Sequence, residues 1–312
     1  MPVLKSILLS LSRNRRLRQI LETSRLGHRL SSRFVAGISL EEALAAVAGV
    51  NAQGMAATLD HLGENVERLE QAEAAADAAA ASLNAIAARG LHCNLSLKLT
   101  QLGLDLGEAV AARLLLQVAS VAYRHGNGVR VDMESSAYTD ATLRIVEQTH
   151  AQGFPVGGVL QASLYRSAAD LQRLREKGIT VRLVKGAYLE PASLAWPRKP
   201  DVDASFDQLM EQMLQPGGSM PAGPLRHALA THDPQRLQRA QMFATAMGIG
   251  PRQLEFQMLY GIRRDLQREL AEAGWPVRIY IPYGAEWFPY FMRRLAERPA
   301  NLLFLMRNLF TA

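Results

Sequence analysis

The sequence is poor in cysteine, in aromatic residues and in long apolar runs. Cys93 is the only cysteine among 312 residues, and aromatic residues make up 6% of the chain. A single cysteine excludes a disulfide framework and a cysteine-based zinc or iron–sulfur site within one chain. No apolar run reaches the roughly 18 residues that a membrane-spanning helix requires, so a spanning helix is excluded as well.

Several catalytic and nucleotide-binding motifs are also missing. No GxGxxG turn follows a predicted strand, because Gly157-Gly158 lies inside a strand and Gly217-Gly218 in a loop. This absence argues against a dinucleotide-binding fold. No GxSxG sequence is present, and the seven histidines form no HxH, HExxH or HxxxH pattern. We therefore expect neither a serine hydrolase nor a metal site.

Positive charge is concentrated at the N-terminus. Residues 1–33 contain eight lysines and arginines and one acidic residue, Glu22, so this segment carries +7 and the rest of the chain −1, for a total of +6. Apolar residues alternate with the arginines from Ile7 to Leu21, a pattern typical of an amphipathic helix on an anionic membrane and of a mitochondrial presequence. A solvated arm packed on the body is the alternative. We expect residues 1–50 to form this basic, helical arm.

The rest of the chain alternates between two kinds of hydrophobic pattern. Eight short apolar or alternating runs predict strands, and most are followed by a stretch with helical periodicity. The predicted strands are Met55–Asp60, His92–Lys98, Val129–Met133, Val156–Ala162, Thr180–Lys185, His227–His232, Leu254–Met258 and Val277–Ile281. Eight strand–helix units predict an α/β protein with a (β/α)8 barrel over residues 51–312. A doubly wound sheet is the competing fold.

The predicted strands carry charged residues on one face. Side chains alternate along a strand, and the face that packs against helices must be apolar, so the polar set is expected to point into the barrel. This set comprises Lys98, Arg130, Arg182, Arg278, Asp60, Asp132, Glu134 and Glu255. Because cations and anions are equal in number, mutual pairing in a purely structural lattice is one interpretation. We favour the other, a polar site for a charged ligand.

The position of the polar residues along the strands supports that choice. Catalytic groups of (β/α)8 barrels lie at the C-terminal ends of the strands. Six polar residues fall at such ends, namely Lys98, Asp132, Gln161, Arg182, Lys185 and His232. This convergence favours an enzyme over a purely structural or binding protein.

Two short motifs carry pairs of cations. The fifth predicted strand ends in Arg182, Lys185 and Gly186, where a glycine would let a backbone amide approach an anion and the lysine would neutralise a phosphate. A structural turn is the alternative. Arg293 and Arg294 lie on the predicted last helix, and if that helix capped the barrel they could bind one carboxylate through bidentate bonds. On an outer helix the same pair would only be solvated.

Three further hypotheses concern these residues and the arm. Glu297 lies four residues after Arg293 on the predicted helix and would hold the arginine pair in place. A Schiff base at Lys98 or Lys185 would make the protein a cofactor-free lyase. A non-enzymatic protein that binds a membrane or nucleic acid through residues 1–33 is the third.

Eight segments match a known pattern, in order, from about residue 54 to residue 298. The most specific are Arg182–Tyr188 and the start of Tyr290–Glu297. The others are Ser96–Leu99, Val131–Glu134, Leu160–Ala162, Ala230–His232, Glu255–Gln257 and Arg278–Pro282. In these segments the sequence resembles the proline dehydrogenase (proline oxidase) family, in its short monofunctional bacterial form.

The resemblance implies an FAD enzyme that oxidises L-proline to Δ1-pyrroline-5-carboxylate, the first step of proline catabolism to glutamate. In this family a hydride passes from substrate C5 to flavin N5, and the electrons usually go on to a membrane quinone. The resemblance further implies that the (β/α)8 barrel is distorted and that its last helix caps the barrel mouth.

The resemblance also implies roles for individual residues. Asp132 and Arg182 are implied as catalytic residues, with Arg182 close to the reactive nitrogen of the flavin. Substrate contacts are implied for Lys98, Tyr280, Tyr290, Arg293 and Arg294. Cofactor contacts are implied for Met133, Gln161, Arg182, Val184, Lys185, Gly186, Ala187, Thr231 and His232.

The partners follow from the resemblance and from the arm. The chain length leaves no room for the aldehyde dehydrogenase domain of bifunctional relatives, so we expect a separate pyrroline-5-carboxylate dehydrogenase to take the product. The arm and the apolar stretch Leu302–Phe310 are expected to contact a membrane surface, which predicts a cytoplasmic protein that is peripheral at the inner membrane. The arm has no aromatic residue before Phe34 and lacks the stacking platforms of single-strand binders, so no nucleic-acid partner is expected.

Overall fold

The computed structural model of the chain describes residues 31–215, 223–250 and 253–297, together with residues 21, 22, 24 and 27, and it describes side chains as far as residue 294. Most of the predicted arm, part of the glycine- and proline-rich loop Pro216–Pro224, the side chain of Glu297 and the apolar stretch Leu302–Phe310 lie outside the described residues. No helix within the described ranges is both long and apolar enough to cross a bilayer.

Eight parallel strands form a closed barrel in which each strand pairs with its neighbours in chain order and β8 pairs with β1. The strands are β1 Ala56–His61, β2 Cys93–Leu97, β3 Val129–Val131, β4 Val156–Gln161, β5 Val181–Val184, β6 His227–Ala230, β7 Leu254–Leu259 and β8 Val277–Tyr283. Every predicted strand is present, and its ends differ from the prediction by at most two residues. The predicted (β/α)8 barrel is confirmed, and the doubly wound sheet is wrong.

The described ranges contain nine α-helices and one 3-10 turn, Ser136–Tyr138. The helices are α1 Leu40–Asn51, α2 Leu69–Ala88, α3 Glu108–Arg124, α4 Thr139–Ala151, α5 Ser167–Glu176, α6 Lys199–Leu214, α7 Pro234–Ala246, α8 Arg264–Glu272 and α9 Trp287–Glu297. The buried apolar stripes of α1 to α8 pack on the outward, apolar faces of the strands and form one continuous core with them. This burial leaves only the inward faces of the strands for polar side chains.

Helix α1 precedes the barrel and was not among the predicted helices. It begins after Ser39, which forms a capping box with Glu42: the Ser39 hydroxyl accepts from the Glu42 amide and the Glu42 carboxylate accepts from the Ser39 amide. Ala43, Leu44 and Val47 of this helix are buried in the core around the barrel. The division of the chain into an arm and a barrel at residue 50 stays a prediction.

Helix α9 lies over the C-terminal ends of the strands. Its buried Trp287, Phe288 and Phe291 pack in one cluster with Leu62, which follows β1, and Ile262, which follows β7. A helix that packed on the outside of the barrel would not contact residues that follow two different strands. The prediction that the last helix caps the barrel mouth is confirmed.

The inner face of β4 has no side chain at Gly157, and Arg130 fills the space. A Cβ at Gly157 would lie 2.5 Å from both Arg130 Nη1 and Thr180 Oγ1. We expect Gly157→Ala to lower the free energy of unfolding by about 2 kcal/mol, because overpacking displaces the buried guanidinium. Urea denaturation measures this change.

Gly158 supplies a matched control on the same strand. A Cβ at Gly158 points to the outer face, where its nearest neighbour, Leu174 Cδ1, is at an ordinary distance of 3.6 Å. Gly158→Ala is therefore expected to be neutral or slightly stabilising, because alanine reduces the entropy of the unfolded chain. Equal losses of stability in the two variants would show that crowding of Arg130 is not the cause.

His227, at the N-terminal end of β6, makes the stability of the fold dependent on pH. Its Nδ1 accepts a hydrogen bond from the Val181 amide. Burial, together with the charges of Arg130 and Arg175, lowers the pKa of His227 from 6.5 to about 4. The unfolded chain therefore binds a proton at a higher pH than the folded chain, and stability is lost as the pH falls through this range.

Between pH 7 and pH 4 we expect the free energy of unfolding of the wild type to fall by about 2 to 3 kcal/mol more than that of His227→Gln. Glutamine can accept the same hydrogen bond without titrating in this range. Urea denaturation at a series of pH values measures the difference, and parallel pH profiles would contradict the role of His227.

Candidate active site

Six of the eight charged residues predicted inside the barrel form three ion pairs. Lys98 Nζ lies 3.1 Å from Asp60 Oδ1, Arg182 Nη1 lies 2.6 Å from Asp132 Oδ1, and Arg278 Nε lies 2.8 Å from Glu255 Oε1. All six side chains are largely buried. Pairing of this kind is what makes buried charges tolerable, since an unpaired charge in the interior costs several kcal/mol.

Arg130 and Glu134 do not pair with a partner of opposite charge, so mutual pairing of all eight charges is wrong. Arg130 donates to the carbonyl oxygens of Thr180 and Arg226, both at 2.8 Å, near the N-terminal end of the barrel. Glu134 lies beyond the other end of β3 and accepts from Thr100 Oγ1 at 2.6 Å. The two charges are separated along the strand, and burial raises the pKa of Glu134 to about 7.

Asp132 and Arg182 form the centre of a hydrogen-bond network in the upper barrel. Asp132 Oδ1 accepts from Arg182 Nη1 and from Ser96 Oγ, at 2.6 and 2.8 Å. The other oxygen, Oδ2, accepts from the Tyr280 hydroxyl at 2.6 Å, and Arg182 Nε donates to Gln257 Oε1 at 2.5 Å. Burial, with the nearby charge of Asp132, raises the pKa of Tyr280 well above its usual value, so this hydroxyl stays protonated.

The Arg182 guanidinium has one hydrogen-bonding group to spare. Its Nη2 is buried and has no hydrogen-bond partner in the part of the chain that the structure describes. A buried donor without a partner costs free energy unless a ligand or water satisfies it. The same guanidinium lies 5.3 Å from the centroid of the Tyr280 ring. A ligand that accepted a hydrogen bond from Nη2 would therefore lie close to Tyr280.

Lys98 lies at the end of β2, beside this network. It is 7% exposed, and its charge is balanced by Asp60. Burial alone would lower the pKa of Lys98, but the Asp60 carboxylate outweighs burial and raises it. A lysine must lose its proton to form a Schiff base, so the ion pair disfavours the lyase hypothesis at Lys98.

Arg293, Arg294 and Tyr290 line the underside of α9. Arg293 Nη2 lies 2.9 Å from Oε1 of Glu64, which follows β1, and the Arg294 guanidinium lies 5.2 Å from the centroid of the Tyr290 ring. Glu64 was not predicted as a partner, and the predicted contact with Glu297, whose side chain lies outside the described residues, stays a prediction. The two arginines are thus held at the barrel mouth, on the side where Lys98 also lies.

Eight of the nine residues predicted to contact a cofactor lie at the C-terminal ends of β3 to β6 or directly after them, whereas Arg182 is the second residue of β5 and not at its end as predicted. Gln161 Nε2 donates to the Glu134 carbonyl, and His232 Nε2 accepts from the Leu259 amide at 2.9 Å, which fixes both side chains. Gly186 has φ +109°, and a Cβ there would overlap Ser163 Oγ, so this turn requires glycine. The spare Arg182 donor, the Lys185 cation and this close turn fit a flavin.

Comparison with known proteins identifies the family of the chain. The sequence matches the proline dehydrogenase family over residues 43–307. It is 40% identical over 309 residues to Proline dehydrogenase 1 of Bacillus subtilis (strain 168), with 98% of this chain and 99% of that protein covered. It is 39% identical over 291 residues to the Proline dehydrogenase of Deinococcus radiodurans, with 90% of each chain covered.

The fold has a close structural relative. Proline utilization A (PutA) from Bdellovibrio bacteriovorus superposes with a TM-score of 0.79 at 24% sequence identity. The match covers 87% of this chain and 33% of PutA, so this chain spans about a third of that larger protein. At this level of identity the likeness confirms the barrel fold alone. The sequence relatives, which match over nearly their whole length, show that the chain belongs to the proline dehydrogenase family, whose enzymes act in proline catabolism with a flavin cofactor.

Proposed function

We propose that the chain oxidises L-proline to Δ1-pyrroline-5-carboxylate with FAD as its cofactor and a membrane quinone as electron acceptor. One observation carries the proposal: the Arg182 guanidinium, paired with Asp132, keeps a buried donor for a ligand inside the barrel whose mouth is capped by the helix of the arginine pair, α9. The site therefore combines a hydrogen-bond donor for a cofactor ring with a place for a carboxylate.

Three cations are proposed to bind the substrate carboxylate, namely Lys98, Arg293 and Arg294. They approach from β2 and from α9, so a carboxylate between them would be held from two sides. Fixing the carboxylate at this end of the substrate orients the ring and its C5 atom, and this positioning accounts for part of the rate acceleration. Tyr280 and Tyr290 are proposed to enclose the ring, since Tyr280 is half-buried beside Arg182 and Tyr290 is buried beside Arg294.

The same cations favour the reactive form of the substrate. Oxidation at C5 requires the lone pair of the amine, so the amine must lose its proton. Positive charges nearby lower the pKa of an ammonium group, and Lys98, Arg293 and Arg294 supply them. The Lys98 ammonium keeps its own proton because of Asp60.

The cofactor contacts proposed for this chain are those of Met133, Gln161, Arg182, Val184, Lys185, Gly186, Ala187, Thr231 and His232. A bound flavin supplies a hydride acceptor at N5 for the hydride of proline C5. Asp132 is proposed to hold Arg182 in place for this step, because it accepts hydrogen bonds from both Arg182 and Tyr280. Cationic donors near the site of developing negative charge are a common source of electrostatic stabilisation.

The proposed electron acceptor and location rest on the sequence. The basic arm of residues 1–50 and the apolar stretch Leu302–Phe310 are proposed to contact the inner membrane from the cytoplasmic side, where a quinone is available. A separate pyrroline-5-carboxylate dehydrogenase is proposed to consume the product.

Absorption spectroscopy tests the proposal. The purified protein should be yellow, and adding L-proline without oxygen should bleach the flavin absorption. A colourless protein that cannot be reconstituted with FAD would overturn the proposed cofactor.

Substituting Arg13, Arg15, Arg16 and Arg18 by glutamine should weaken sedimentation with anionic vesicles and lower quinone-coupled turnover, while proline oxidation with a soluble dye stays unchanged.

A further inference from the structure

A half-buried lysine held by two carboxylates lies at the edge of the proposed cofactor site. Lys185, directly after β5, donates through Nζ to Asp203 Oδ1 and, at 2.6 Å, to Asp233 Oδ2. Asp203 belongs to α6 and Asp233 is the N-cap of α7. We refer to Lys185, Asp203 and Asp233 as the lysine clamp. It joins the end of β5 to two neighbouring helices through one ammonium group.

The two carboxylates remain ionised within the fold. Burial would raise the pKa of Asp203 and of Asp233, but nearby cations outweigh burial and lower the pKa of both: Lys185 and Lys199 at Asp203, and mainly Lys185 at Asp233. The side chains of Asp203 and Asp233 are 12% and 20% exposed, so they exclude most of the solvent that would otherwise compete for the lysine. The ammonium group is therefore fixed rather than solvated.

Charge neutralisation of Asp203 does not require Lys185. Lys199 Nζ also bonds to Asp203, and Arg236 Nη1 lies 4.0 Å from the same carboxylate. An ion pair that served only to balance Asp203 would be complete with these two cations. The additional lysine is better explained by what the carboxylates do for it, since they fix a side chain that would otherwise lose rotamer entropy on binding a ligand.

The clamp leaves one donor of the ammonium group available. A protonated lysine has three N–H donors, and the carboxylates of Asp203 and Asp233 use two of them. No other hydrogen bond of the Lys185 side chain occurs among the described residues. The ammonium group that keeps this third donor belongs to the residue that follows β5 and precedes Gly186.

We propose that Asp203 and Asp233 are positioning residues that hold the Lys185 ammonium for binding to the flavin. This inference rests on the proposed FAD function and adds two residues, from α6 and α7, that sequence analysis did not assign to the site. They act through Lys185, so their effect on cofactor affinity should disappear when the lysine is absent.

A double-mutant cycle on FAD affinity tests the inference. The variants are Asp203→Asn, Asp233→Asn, Lys185→Met and the two combinations with Lys185→Met. Asparagine preserves the shape of Asp203 and, at position 233, remains a good N-cap, so folding is preserved. The dissociation constant is measured by titrating each apoprotein with FAD and following flavin fluorescence, and urea denaturation checks stability.

We expect each aspartate variant to weaken FAD binding about tenfold, the effect of a loss of about 1.4 kcal/mol, and to have almost no effect in the Lys185→Met background. Asp207→Asn is the matched control: Asp207 lies one turn further along α6 and pairs with Arg236 at 2.9 Å, and it does not contact Lys185. Its variant should bind FAD as the wild type does.

Three results would overturn the inference: wild-type affinity in both aspartate variants, equal losses with and without Lys185, or an equal loss in Asp207→Asn. A wild-type apoprotein that does not bind FAD would instead overturn the proposed function itself. The two failures are therefore distinguishable.

Discussion

Replacing Arg182 with methionine is expected to lower kcat/KM for L-proline by about 10³-fold. The guanidinium supplies the spare buried donor of the site and makes the ion pair with Asp132 at 2.6 Å. Methionine fills a similar volume but provides no donor, and it leaves the Asp132 carboxylate with only Ser96 and Tyr280 as hydrogen-bond donors. Steady-state oxidation of proline with a soluble dye measures the loss, after FAD content has been verified by absorption.

Two further variants make this result specific to the site. Arg182→Lys keeps the positive charge but lacks the planar fork that bonds Ser96, Asp132 and Gln257, so we expect most of the loss to persist. Arg144→Met removes an arginine that also pairs with a carboxylate, that of Glu108, but on a surface where both side chains are about half exposed. Its activity should stay within about twofold of the wild type, since exposed ion pairs contribute little. Flavin-loaded Arg182→Met with near-normal activity would disprove the role of Arg182.

The strands and the polar interior were predictable because both follow from one local rule. Side chains alternate along a strand, and the face that packs against helices cannot carry charge, so Arg130 and Arg182 have only the interior available. The rule holds for each strand separately and needs no knowledge of its neighbours. It therefore predicted all eight strands and the inward polar face of six of them.

The partners of these residues were not predictable in the same way. Ser96 and Gln257 bond Arg182 from strands that are not its neighbours, and this proximity depends on the stagger of the closed barrel. Alternation along one strand contains no information about that stagger. Glu64, the partner of Arg293, lies in a loop, where no periodic pattern predicts the path of the chain. Helical spacing alone therefore predicted a contact of the arginine pair with Glu297, which is close along the helix.

Helix α1 lies in the segment predicted as a helical arm, but its bounds were not predicted. Its apolar stripe is short, and it precedes the first strand, where the repeating strand–helix pattern does not place a helix. The signal was present in Ser39 and Glu42, whose spacing is that of a capping box. A search for helix starts before strand β1 would have found it.

The second large effect is expected at the barrel mouth. We expect Arg294→Met to raise KM for L-proline by about 100-fold, with a smaller change in kcat, because truncating one partner of a buried charge pair costs several kcal/mol. The lost interaction is made by the carboxylate, which does not change during the reaction, so it contributes equally to binding of substrate and transition state. Steady-state kinetics over a wide range of proline concentrations separate the two parameters.

Pyrrolidine, which is proline without its carboxylate, isolates the interaction. If Arg294 binds the carboxylate, the variant should lose affinity for proline and keep the wild-type KM for pyrrolidine, so its preference for proline should fall by the same factor of about 100. A methionine that disturbed the packing of α9 instead would weaken both substrates equally. The comparison also bears on Arg293, which Glu64 holds at 2.9 Å: Arg293→Met should reduce the same preference, since both arginines are proposed to bind one carboxylate from the helix that caps the barrel.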